Sequence, residues 1–254
     1  MEKLLSHKKI LVAGAGGLLG SHLVPELLKQ GAEVIAADVN VDTMSTRLQQ
    51  KNIESGNIEL VELDVTNETD VKTFFSKRNS LTGAVNATYP RNQQYGAHFF
   101  DVSMASFNEN LSLHLGSSFL FTQQCAAYFK ERQQPFSLVN VSSVYGVVAP
   151  KFEIYKNTLM TMPVEYATIK SALLHLNKYV VKYVSDSRFR INCISPGGIF
   201  DHQPESFLEA YKTKTNGTGM LDVNDMVGSV IFLLSDASRY VTAQNIVVDD
   251  GFSL

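Results

Sequence analysis

Short apolar runs alternate with longer helical stretches from one end of this chain to the other, and that alternation restricts the fold more than any other feature. The runs cover residues 10–13, 33–37, 58–63, 84–87, 138–141, 191–194 and 246–248. Helical periodicity fills residues 21–30, 42–51, 69–77, 102–131, 163–185 and 222–234, with Gly31 as the expected stop of the first helix. A strand followed by a helix and another strand forms a parallel pair through a crossover, and ligands then bind beyond the carboxyl ends of the strands. The pattern predicts an α/β fold, a doubly wound parallel sheet of about seven strands with helices on both faces. An eight-stranded barrel is the competitor at this length, and the glycine-rich first turn and the strand count favour the open sheet.

The 254 residues show no internal repeat, low-complexity tract or Pro/Gly/Ser-rich linker, which predicts one domain over residues 1–254. A net charge of -3 with scattered Lys and Arg offers no basic stripe, so neither nucleic acid nor an anionic membrane is indicated as a partner. Cys125 and Cys193 stand in apolar segments without the spacing of a disulfide framework or a zinc site, and read as small core residues of a reducing compartment. The opening MEKLLSHKKILVAG lacks the apolar run of a signal peptide, and no stretch has the length of a membrane span. The expectation is a cytoplasmic protein acting on a small molecule.

Directly after the first strand come Gly14-Ala15-Gly16-Gly17-Leu18-Leu19-Gly20 and then a helix. Glycines allow a sharp turn and close approach of the backbone to a pyrophosphate, and the free N–H groups of a helix start face phosphate charge. A glycine-rich turn without a ligand is the plainer alternative. An acid closing the second strand, Asp38, stands where a carboxylate accepts hydrogen bonds from adenosine ribose hydroxyls, although it also suits a strand-end turn. No Lys or Arg occurs in residues 13–20 or beside Asp38 in sequence, so NAD is expected rather than NADP.

Tyr166 and Lys170 are spaced four apart in a helical stretch, which brings a phenol and an ammonium to one face. A fixed cation favours the phenolate, and lowering a phenol by about three units takes roughly 4 kcal/mol of differential stabilisation. Such a pair can move a proton near neutral pH. The same spacing also occurs on helices as packing plus a solvated charge.

Taken in order, the glycine turn at 13–20, Leu63-Asp64-Val65, Asn86-Ala87-Thr88, Val139-Asn-Val-Ser-Ser143, Tyr166 with Lys170, Ser195-Pro-Gly197 and Val248-Asp-Asp-Gly251 resemble the short-chain dehydrogenase/reductase family. The resemblance runs over nearly the whole chain and implies an NAD(P)-dependent oxidoreductase. It implies that Gly14, Gly17, Leu18, Leu19 and Gly20 form the phosphate turn, and that Asp64 and Val65 hold the adenine. It further implies that Asn86, Ala87 and Thr88 line the adenosine side, and that Pro196, Gly197 and Ile199 bracket the nicotinamide. Tyr166 is then the general acid or base. Lys170 holds the nicotinamide ribose and lowers the tyrosine pKa. Ser143, rather than the turn residue Ser142, bonds the reacting substrate oxygen.

Several departures from the family pattern stand out. The glycines fall as Gly-x-x-Gly-x-x-Gly, with Leu18 in place of the middle glycine, a spacing commoner in the sugar-nucleotide epimerase and dehydratase branch. Alignment puts His114 where the family carries an asparagine, with Asn110 one helical turn away; either can hold a relay water to Lys170. Ser143 and Tyr166 are separated by an insert around residues 150–162, expected to cover the site mouth with Lys151, Tyr155 and Lys156. Asp201 replaces a threonine that often contacts the carboxamide. Residues 198–208, with His202, Gln203 and Glu205, are expected to form a mobile lid.

Arg91, beyond the fourth strand, either reads an anionic substrate group or is an exposed loop charge. The polar lining suits a hydroxylated substrate. Residues 110–116 and the last ten residues resemble bacterial dehydrogenases of flagellin or surface-polysaccharide sugar modification. The resulting expectation is hydride transfer to or from a sugar-derived carbinol. An epimerase or dehydratase using NAD transiently, or an NAD-binding protein without turnover, is the alternative. The family implies a homodimer or homotetramer through the helices at 102–131 and 163–185.

Overall fold

A computed structural model of the chain describes residues 3–51 and 57–254. The strands are β1 (Lys9–Ala13), β2 (Glu33–Asp38), β3 (Ile58–Glu62), β4 (Gly83–Asn86), β5 (Phe136–Val141), β6 (Phe189–Pro196) and β7 (Asn245–Val248). They form one parallel sheet in the order β3-β2-β1-β4-β5-β6-β7. All seven expected runs are strands. The chain reverses direction across the sheet between β1 and β4, and the crevice for a ligand opens at the carboxyl ends of those two neighbours.

The helices are α1 (Leu18–Lys29), α2 (Val41–Gln49), α3 (Glu68–Ser76), α4 (Met104–Asn110), α5 (Ser117–Arg132), α6 (Val164–Val184), α7 (Glu205–Lys212) and α8 (Val227–Leu234). Side-chain caps start several of them: Asn40 Oδ1 accepts from Thr43 N–H at 2.9 Å, and Asn67 Oδ1 from Thr69 N–H at 2.9 Å. The stop of α1 falls where expected, with Gly31 in the left-handed region at φ +89°.

Strand residues alternate between the two faces of the sheet. Ile10, Val12, Val34, Ala36, Val85, Val139 and Ile194 join one core with α1, α2 and α8. Leu11, Ala13, Ile35, Ala37, Ala84, Leu138 and Ile191 join the other with α3 and α5, and Val180, Val181 and Val184 of α6 pack against it. Burial on both faces explains why these strands read as continuous apolar runs, each large aliphatic side chain contributing about 1.5–3 kcal/mol. A third cluster, of Tyr145, Ile154, Tyr155, Phe207, Tyr211 and Phe252, sits above the strand ends and shapes the site.

Three helix expectations are corrected. The stretch at 102–131 is two helices joined by a π-helical turn, Leu111–Gly116. The first helix starts at Leu18 rather than at residue 21, because Gly17 takes the extended N-cap conformation and Gly20 fits inside the first turn. Residues from Glu205 onward are not a lid loop but α7, anchored because Phe207 and Tyr211, four apart, both bury their rings. Among the described residues, no helix is long and apolar enough to cross a membrane.

Candidate active site

A cleft of about 1180 Å³ runs along the carboxyl ends of the strands. Its floor is the β1–α1 turn, and two glycines there are required by space. Gly14 adopts φ +80°, and a Cβ on it would lie 2.8 Å from the carbonyl carbon and oxygen of Ala87. A Cβ on Gly20 would overlap the carbonyl oxygen of Gly14 and come within 2.7 Å of Ala15 Cα. Gly17 N–H donates to Gly14 O at 3.1 Å, which closes the turn. Among the described residues, the N–H groups of Leu18, Leu19 and Gly20 have no hydrogen-bond partner, and the first turn of α1 carries no acid. An open helix start with three unspent donors fits the pyrophosphate of a dinucleotide. Gly14, Gly17, Leu18 and Leu19 line the cleft, whereas Gly20 lies beneath them.

Asp38 marks the far end. Its Oδ2 accepts from Gly16 N–H at 2.9 Å, and its Oδ1 from Asn40 N–H at 3.2 Å, so part of its acceptor capacity supports the turn. Cations absent beside Asp38 in sequence are nevertheless near it in space, because α2 and the turn after it bring Arg47 and Lys51 to this end of the cleft. Arg47 Nη1 donates to Gly16 O at 2.6 Å, and Lys51 Nζ lies 2.8 Å from His22 Nε2. Sequence proximity missed them because a helix returns residues nine and thirteen positions after Asp38 to its neighbourhood.

Asp64 and Val65 line the adjoining wall, and Asp64 Oδ1 is bonded by Thr66 N–H at 2.8 Å and Thr66 Oγ1 at 2.7 Å. Ala87 and Thr88 line it too, but Asn86 does not. The Asn86 side chain is buried, donating to Ser118 Oγ at 3.3 Å and accepting from Thr88 Oγ1 at 2.7 Å, so it braces the end of β4.

Ser143, Tyr166 and Lys170 share the opposite wall. The two serines after β5 separate by role: Ser142 Oγ donates to Lys170 O at 2.8 Å and ties β5 to α6. Ser143 Oγ accepts from Tyr145 N–H at 3.2 Å, and its hydroxyl faces the Tyr166 phenol. Lys170 Nζ donates to Val141 O at 2.8 Å and lies 5.5 Å from the centre of the Tyr166 ring.

Burial decides the protonation here. It lowers the Lys170 ammonium to about 8. It pushes the Tyr166 phenol above its ordinary value, opposed by the Ser143 hydroxyl. The expected lowering of the phenol by Lys170 is therefore absent from the protein alone, where desolvation wins.

Of the two candidates for the asparagine position, the π-helical turn brings His114 to Lys170, with Nε2 3.4 Å from Nζ. His114 is buried behind the cleft wall, its Nδ1 has no partner among the described residues, and burial and the Lys170 charge hold its pKa down at about 2. The ring is thus neutral. Asn110 faces elsewhere: its Nδ2 donates to Asn92 Oδ1 at 3.1 Å and to Glu165 Oε1 at 3.4 Å, and its Oδ1 accepts from Asn92 N–H at 3.0 Å.

Pro196, Gly197, Ile199, Asp201 and Gln203 line the cleft beyond β6. From the insert, Tyr155 and Met162 reach the cleft. Lys151 does not, since its Nζ donates to Phe252 O at 2.6 Å, and Lys156 is exposed outside it. Tyr89, Tyr145 and Tyr211 also line the cleft and carry no motif in the sequence. The Tyr89 ring stands edge to face against Tyr166 at 5.7 Å and His114 at 5.1 Å.

The family model described as enoyl-(acyl carrier protein) reductase, of short-chain dehydrogenase type, matches residues 14–253. Post-translational flagellin modification protein A of Campylobacter coli is 36% identical over 257 residues, covering 99% of this chain and 100% of that protein. A probable galactose dehydrogenase of Rhizobium meliloti (strain 1021) is 26% identical, covering 97% of this chain and 95% of its own. A crystal structure of a short chain dehydrogenase from Leptospira borgpetersenii serovar Hardjo-bovis (strain JB197) with bound NAD+ superposes with a TM-score of 0.85 at 31% identity, covering 98% of this chain and 94% of that one.

Proposed function

The chain belongs to the short-chain dehydrogenase/reductase family and is an oxidoreductase, and from that premise we propose that it uses NAD to oxidise or reduce a carbinol or carbonyl of a small, polar, sugar-derived substrate. One observation carries the reading: Ser143, Tyr166 and Lys170 meet on one wall of a cleft whose floor is an open helix start. A nicotinamide dinucleotide, when bound, supplies or accepts the hydride. Gly14, Gly17, Leu18 and Leu19 would hold its pyrophosphate, Asp38, Asp64 and Val65 its adenosine, and Pro196, Gly197 and Ile199 its nicotinamide. Ala87 and Thr88 complete the adenosine side.

Ser143 Oγ donates a hydrogen bond to the substrate oxygen, and Tyr166 Oη exchanges a proton with it. Lys170 favours the phenolate during that exchange, while its bond to Val141 O fixes the ammonium. His114, accepting from Lys170 through Nε2 in its neutral form, carries its proton on Nδ1 and links Lys170 to a relay. The sugar assignment is supported by the names of the flagellin-modification and galactose-dehydrogenase relatives together with the hydroxyl-rich lining. Asp38 supports NAD over NADP, because a 2′-phosphate would meet its carboxylate. A cytoplasmic location and a homodimer or homotetramer complete the reading; stacked Tyr179 and Tyr183 on the exposed face of α6 support assembly through that helix.

The test is NAD and NADP reduction followed at 340 nm over polyols, sugar phosphates and nucleotide sugars. Tyr166→Phe should abolish turnover and leave cofactor affinity nearly unchanged. Turnover without net NADH would support the epimerase or dehydratase alternative, and cofactor binding with no turnover of any kind the binding-protein alternative.

A further inference from the structure

We propose that the substrate carries an anionic group, a phosphate monoester or a carboxylate, close to its reacting carbon, and that Arg91 binds it. The inference rests on the oxidoreductase reading and narrows its substrate class.

Arg91 lines the cleft on the loop that follows β4. Its guanidinium carbon lies 4.8 Å from the centre of the Tyr89 ring, and that ring stands against Tyr166. A single aromatic ring thus separates a guanidinium from the phenol assigned to proton transfer.

The donors of Arg91 are unspent. Arg47, Arg78, Arg132, Arg188 and Arg190 all donate to carbonyls, hydroxyls or carboxylates of the protein, while Arg239, like Arg91, only lies over an aromatic ring but stands outside the cleft. Among the described residues, Arg91 makes no hydrogen bond and no ion pair, although it faces the cleft. A guanidinium stacked on an aromatic face keeps its edge free for two parallel N–H···O bonds to a phosphate or carboxylate.

The backbone beside it is fixed. Asn92 N–H donates to Asn110 Oδ1 at 3.0 Å, and Asn92 Nδ2 donates to Ser106 Oγ at 3.1 Å and Glu109 Oε2 at 2.7 Å. Arg91 is exposed, with its backbone held beside an anchored asparagine and its guanidinium over the Tyr89 ring, which lowers part of the ordering that opposes binding. Asp38, Asp64, Arg47 and Lys51 lie at the adenosine end, so the charge there is mixed, while Arg91 and Lys170 lie at the reacting end. Asp201, on the loop after β6, disfavours an anion on its own side and so directs the group toward Arg91.

Matched pairs test this: glucose 6-phosphate against glucose, and gluconate against glucitol, assayed with NAD for wild type, Arg91→Ala and Arg91→Lys. We expect the anionic member of at least one pair to exceed its neutral partner by tenfold or more in kcat/KM. Arg91→Ala should erase that preference mainly through KM, and Arg91→Lys should restore part of it. The phosphate pair and the carboxylate pair distinguish the two anions. Equal turnover of the neutral members with no effect of Arg91→Ala would overturn the proposal and leave the oxidoreductase reading standing.

A second arm needs no turnover. Glucose 6-phosphate or gluconate should raise the melting temperature of NADH-loaded wild type and not of NADH-loaded Arg91→Ala. No Arg91-dependent rise with either anion overturns the proposal, and failure of NADH itself to bind overturns both readings.

Discussion

The Lys170 ammonium has only two polar neighbours of the protein within hydrogen-bond reach among the described residues, the Val141 carbonyl at 2.8 Å and the neutral imidazole of His114 at 3.4 Å. One fixes its position and the other opens onto a buried nitrogen, His114 Nδ1, with no partner of its own among these residues. Replacing His114 by Leu removes an acceptor from a buried cation and lowers its pKa further. We expect kcat to fall about tenfold, a modest share of what acid–base groups contribute, and the alkaline loss of activity to begin at lower pH. His114→Asn, which keeps an acceptor, should recover most of both. A pH profile of kcat for the three proteins checks this, and an unmoved alkaline limb in the Leu variant would sink it.

The same histidine makes folding sensitive to acid. Its pKa is about 2 in the folded chain against an ordinary 6.5, so below pH 6.5 the unfolded chain takes up a proton that the folded chain refuses. Stability from this group falls as pH drops, by about 1.4 kcal/mol per pH unit. His114→Asn should flatten that dependence, which melting curves between pH 7 and pH 5 will show as a smaller drop for the variant.

Gly20→Ala places a methyl against the Gly14 carbonyl in the floor of the cleft. Overpacking of this kind costs about 1–3 kcal/mol, and the turn must deform to relieve it. Dinucleotide affinity should fall by more than tenfold while the circular dichroism of the sheet and helices persists. Titration with NADH, followed by fluorescence, is the measurement.

Asp38→Asn retains an oxygen to accept from Gly16 N–H and removes the charge that repels a 2′-phosphate. Arg47 and Lys51 remain at that end of the cleft. The ratio of kcat/KM for NAD to that for NADP should drop by about a hundredfold, equivalent to about 2.7 kcal/mol. An unchanged ratio would show that the carboxylate does not select the cofactor.

The sheet was legible because burial on both faces leaves seven uninterrupted apolar runs, and the phosphate turn because Gly14 and Gly20 answer to local geometry. Residues that reach the cleft through tertiary packing were not. Arg47 arrives on a helix and Lys51 on the turn after it, Tyr89 and Tyr145 follow strand ends with no motif, and Asn86 sits among family marks yet turns inward to Ser118. Spacing reveals the cation beside Tyr166 but not the depth of burial that raises the phenol in the protein alone. Chain periodicity also passes smoothly through residues 111–116, since one additional residue in a turn leaves no compositional trace.

That wide turn has a consequence for chain length. An ordinary α-helix advances about 100° per residue and a π-helical turn absorbs one residue more, so deleting one residue between Leu111 and Gly116 would restore regular winding while leaving the flanking helices close to their present phase. Ser106, Glu109 and Asn110 would keep their clasp on Asn92, and the loop bearing Arg91 its mooring, while the widened turn that brings His114 to Lys170 would be lost. A single-codon deletion in this turn would thus strike the group behind Lys170 and spare the loop that bears Arg91, separating proton delivery from substrate choice.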